Sequence, residues 1–84
     1  MRHPRPGELD ALEPLLGQFR TMQGLVEKTP GAFYRKSKAF LHFHIDGDDY
    51  YADVRLGGSE FERMRVTTKA EQRTLVVAVR KALA

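Results

Sequence analysis

Lys38-Ala39-Phe40-Leu41-His42-Phe43-His44-Ile45 is followed by Asp46-Gly47-Asp48-Asp49 and then by Tyr50-Tyr51-Ala52-Asp53-Val54-Arg55-Leu56. Two runs that alternate between apolar and polar residues flank an acidic turn containing glycine, a pattern that predicts a β-hairpin. A turn centred on Gly47-Asp48 sets Ile45 opposite Tyr50, Phe43 opposite Ala52 and Leu41 opposite Val54. That register matches apolar with apolar at every step, which is the condition that fixes strand pairing. The polar side of the same register sets His42 opposite Asp53 and His44 opposite Tyr51.

Outward from the hairpin, Gly57-Gly58-Ser59 marks a turn, and Phe61-Glu62-Arg63-Met64-Arg65-Val66-Thr67 alternates again. A three-residue loop would pair Val54 with Met64 and Ala52 with Val66, and would set Arg65 opposite Asp53. The expected strands are therefore residues 38–46, 49–56 and 61–67, a three-stranded antiparallel meander. Thr68-Lys69-Ala70-Glu71 has the form of a capping box and opens a helix over 69–83, with Leu75, Val76, Val79, Ala82 and Leu83 as its apolar stripe.

Toward the N-terminus, Pro4, Pro6 and Gly7 suggest a loose lead-in over residues 1–10. Asp10-Ala11-Leu12-Glu13 resembles a second capping box. Leu12, Leu15, Leu16, Phe19, Met22 and Val26 then recur at helical spacing, and Thr29-Pro30-Gly31 is a stop signal, so a helix is expected over about residues 11–28. Residues 32–38 read as a basic connector. The fold class is a single two-layer α+β domain spanning 1–84, order α-β-β-β-α, with both helices on one face of the sheet.

The chain has 84 residues and no cysteine, so neither disulfides nor thiolate metal sites are available. A small chain of this kind suits a reducing cytoplasm or a fold strengthened by self-association. No run approaches the roughly 20 apolar residues that span a bilayer, so a soluble protein with no membrane partner is expected. The formal net charge is +3. The excess lies in the last helix, where Lys69, Arg73, Arg80 and Lys81 face only Glu71. The rest of the chain is balanced, unlike the broad basic surface of most nucleic-acid binders.

If both helices cover one face, the other displays Phe40, His42, His44, Tyr51, Asp53, Arg55, Phe61, Arg63 and Arg65. These aromatic and arginine residues are of the types enriched at protein contacts. The leading expectation is a small binding or interaction module, not an enzyme, that pairs with a partner or with itself through this face. Residues 38–65 also permit an alternative, a metal- or His-dependent enzyme. His-x-His on a strand points two imidazoles to one side, and Asp53 supplies a third ligand type. A second alternative is a single-stranded nucleic-acid binder that stacks bases on Phe40, Tyr51 and Phe61 and grips phosphates with its arginines. The residues imply no cofactor. The Asp46-Gly47-Asp48-Asp49 turn lacks the twelve-residue pattern of a calcium loop.

Overall fold

The computed structural model describes residues 2–84, apart from the side chain of Pro6. A 3₁₀ turn over Pro6–Leu12 runs into α1 (Glu13–Arg20). Five strands follow: β1 (Val26–Thr29), β2 (Ala32–Arg35), β3 (Lys38–Asp46), β4 (Asp49–Val54) and β5 (Glu62–Arg65). The chain closes with α2 (Lys69–Leu83). Strands pair with their sequence neighbours, all antiparallel, in the order β1-β2-β3-β4-β5. The α+β class holds, but the expected order of one helix, three strands and one helix does not.

The difference lies in residues 11–38. The stripe of Leu12, Leu15, Leu16 and Phe19 is helical and buried as expected. Thr21 then caps the helix, and the backbone turns left-handed at Gly24 (φ 98°), where glycine is the residue that bends without Cβ strain. Val26, counted in the helical stripe, is instead an exposed strand residue. Pro30 and Gly31 form the tip of a hairpin. Gly31 takes φ 76°, as a proline–glycine turn requires, and its N–H donates to Glu27 Oε2 at 3.0 Å. The expected connector 32–38 becomes β2 and a second tight turn, and it buries Phe33.

The central hairpin matches its sequence register at every pair, from Leu41 opposite Val54 to Asp46 opposite Asp49. The β4–β5 register is shifted by two: Ala52 faces Met64, Asp53 faces Arg63 and Tyr51 faces Arg65. The cause is a longer loop over 55–61, tied down by Arg55, whose Nε donates to Ala39 O and whose Nη1 donates to Ser59 O. A shift of two residues preserves which side chains share a face. β4 and β5 are also shorter than the expected 49–56 and 61–67, although the Val66 N–H still reaches Tyr50 O at 2.8 Å.

The second helix begins and ends as its sequence indicates. Glu71 N–H donates to Thr68 Oγ1 at 3.1 Å, and Thr68 N–H donates to Glu71 Oε1 at 3.0 Å, completing the capping box. Leu75, Val76 and Val79 join Leu9, Leu12, Leu15, Leu16 and Phe19 in one core. Phe33, Phe40, Leu41, Phe43, Ala52, Val54 and Val66 complete it from the sheet side. No helix among the described residues is long and apolar enough to cross a membrane.

Candidate functional site

The alternation of β3 turns His42 and His44 away from Leu41, Phe43 and Ile45, which are buried. Cross-strand pairing then sets Asp53 of β4 opposite His42. His44 Nε2 lies 2.9 Å from Asp53 Oδ2, and His42 Nε2 lies 3.4 Å from the same oxygen. One ligand atom from each of the three side chains falls within 4.8 Å of the others. This adjacency follows directly from the turn at Gly47-Asp48, so two of the expected ligands and their carboxylate are brought together.

The short His44–Asp53 approach is not a hydrogen bond. His44 Nε2 is buried and has no hydrogen-bond partner among the described residues, because the carboxylate oxygen lies off the N–H direction. Asp53 is committed elsewhere. Arg63 grips it with two parallel bonds, Nε to Oδ1 at 2.8 Å and Nη2 to Oδ2 at 2.9 Å. That guanidinium holds the Asp53 carboxyl below the usual carboxylate range, against the opposing effect of burial. Burial, with the neighbouring imidazoles of His44 and His3, pushes His42 down despite the pull of Asp53. The site thus contains a carboxylate and a neutral imidazole, the protonation states that bind metals.

His3 is the residue that sequence reasoning missed. Placed in a loose lead-in, it is instead held against the sheet. Arg2 makes an isolated antiparallel bridge to Ile45, with N–H to O distances of 3.0 and 2.8 Å. The Arg2 side chain also pairs with Glu8. His3 then stacks 4.7 Å from His44 and 5.9 Å from His42, ring centre to ring centre. No local pattern in the sequence marks it. β3 runs nine residues beside a four-residue β2, which leaves part of its edge for another segment to cover.

The rest of the expected face is only partly bare. Phe40 is buried, a correction to its outward placement. It belongs to the same core cluster as Leu41 and Phe43, and it also borders the hollow lined by Arg55, Leu56, Gly57 and Gly58. Phe61 remains exposed, edge-on to His42 at 4.9 Å and under the Arg55 guanidinium at 4.2 Å. Arg65, expected opposite Asp53, stands opposite Tyr51. It bridges Asp49 at 2.8 Å and Glu71 at 2.7 Å. Two of the three arginines counted as phosphate contacts are therefore already paired with carboxylates. A cleft of about 560 Å³ opens between the arm and the β1–β2 hairpin, with His3 and His42 in its wall. No family model, curated protein or solved structure matches this chain.

Proposed function

We propose that this protein is a small binding domain whose ligand is a divalent transition-metal ion held by His42, His44 and Asp53. The observation that carries the reading is the buried Nε2 of His44, which has no hydrogen-bond partner and belongs to a group of three ligand atoms within 4.8 Å of one another. A buried polar atom left without a partner costs about 1–3 kcal/mol, and a metal bond would remove that cost. Arg63 opposes a cation by its charge, but its grip on Asp53 also orients the carboxylate, as groups behind metal ligands commonly do. His3 stands beside His44, ring centres 4.7 Å apart, but lies outside the group of three ligand atoms. A bound ion would supply Lewis acidity and a more acidic water at the wall of the cleft, so a metal-dependent reaction stands as the active form of the same reading.

Titration with cobalt(II) tests it, read by the visible absorption of tetrahedral nitrogen and oxygen coordination. One equivalent should bind to the wild type. His42→Ala and His44→Ala should each weaken binding more than about tenfold, the scale expected for a lost metal contact. Equal binding by the His42→Ala/His44→Ala double variant removes the reading.

The exposed Phe61 favours a second reading, pairing of two copies through Phe61 and the Arg55 guanidinium stacked on it. An arginine stacked on an aromatic ring at an exposed site is the type of group that anchors protein contacts. Light scattering after size exclusion should then find a dimer that Phe61→Ser converts to monomer. A wild-type monomer at high concentration contradicts it.

A further inference from the structure

Four cations of the β2–β3 turn and the β4 end surround one hollow. Arg35, Lys36, Lys38 and Arg55 line a space of about 370 Å³ together with Ala39, Phe40, Leu56, Gly57 and Gly58, and no acidic residue is among them. Among the described residues, none of the four cations forms an ion pair, whereas Arg2, Arg20, Arg63 and Arg65 all do. Unneutralised charge of one sign in a concave site concentrates the local field on whatever enters.

The backbone adds an independent observation. Lys36 and Ser37 form the two-residue turn with φ of 51° and 69°, both in the left-handed region. Turns of this type favour Asn and Gly, and other residues there cost about 1–3 kcal/mol each. Asn at position 36 would satisfy the turn and stay soluble, so neither turn geometry nor solubility explains a lysine. Lys36 is one of the residues that line the hollow. The two guanidiniums are also preset. Arg35 Nη1 donates to Ala82 O at 2.9 Å, while Arg55 donates to Ala39 O and Ser59 O. Each keeps further N–H groups free, and a fixed planar fork loses little entropy on gripping an oxyanion.

We propose that this hollow binds a small phosphomonoester. The dianionic phosphate lies among Arg35, Lys36, Lys38 and Arg55, and the organic group rests on Leu56 and the glycine pair. Charge and size both point this way. Four cations outmatch a single carboxylate, and the volume lies at the lower end of small-ligand sites, about 300–1,000 Å³. The site is distinct from the histidine cluster and does not depend on a metal there.

The test is amide-resolved NMR of the full chain, with chelator present, titrated with phenyl phosphate, inorganic phosphate and a short thymidine oligonucleotide. Phenyl phosphate should shift Lys36, Ser37, Gly57 and Gly58 saturably, and it should bind more tightly than inorganic phosphate. Lys36→Asn, which suits the left-handed backbone, and Lys38→Gln should each weaken it by about tenfold, the loss of one charge-assisted contact. The proposal is overturned by shifts spread equally over Lys69, Arg73, Arg80 and Lys81, or by absence of saturation up to about 10 mM, tenfold beyond a millimolar site. Oligonucleotide binding without phenyl phosphate binding also overturns it.

Discussion

Gly31 shows how a single residue carries tertiary structure here. Its φ of 76° lies where side chains are strained, and a Cβ added there would meet both Leu9 methyls at 3.3 Å. The turn and the core contact thus make the same demand. Gly31→Ala should destabilise the fold by about 1–3 kcal/mol, the cost of a strained left-handed residue, read by denaturant unfolding. A change within about 0.5 kcal/mol, as for an ordinary surface position, contradicts that account. At the same scale the sequence disclosed most of the candidate site. His42, His44 and Asp53 were legible because alternation and a two-residue turn fix their neighbours. Phe40 was not, because it joins the buried core although it has the parity of His42 and His44. His3 left no local trace, since its contacts span some forty positions.

Among the elements, the N-terminal arm is the one most open to control. Arg2 donates to both Glu8 oxygens, and the Arg5 N–H donates to Glu8 Oε1 at 2.8 Å. The Arg2 side chain chiefly, with that backbone bond, holds the Glu8 carboxyl down to about 2 from its usual 4.5. A depressed carboxyl contributes stability above its unfolded value and loses it as pH falls through the folded one. The arm should therefore loosen as pH falls from 4.5 toward about 2. The protection of the Arg2 and Ile45 amides, the ratio of intrinsic to observed exchange rate, should fall across that window in the wild type, while Glu8→Gln should lack this step. Identical profiles contradict the arrangement. At α2, Thr68→Ala removes the acceptor of the Glu71 N–H and should cost about 0.5–2 kcal/mol in thermal or denaturant unfolding. No measurable loss would show that the cap contributes nothing. The second helix was readable because its signals are local: a capping box, then one stripe. The first was overread because Met22 and Val26 continued its spacing by coincidence, although the helix is capped at Thr21 and the chain turns at Gly24.

Over the whole molecule, five strands replace three because residues 26–35 fold into a hairpin that the helical pattern hid. Its addition lengthens the sheet, buries Phe33 and forms one wall of the cleft beside His3 and His42. One core is shared by both helices and the sheet, so the polar side of β3 and β4 carries residues that packing does not require. The histidine cluster lies there, and the account rests on it. A crystal soaked in zinc and measured at the zinc absorption edge should show one anomalous peak about 2.0–2.2 Å from nitrogen or oxygen atoms of His42, His44 and Asp53. No peak at that position, or density only against Asp46 and Asp48, contradicts the central claim.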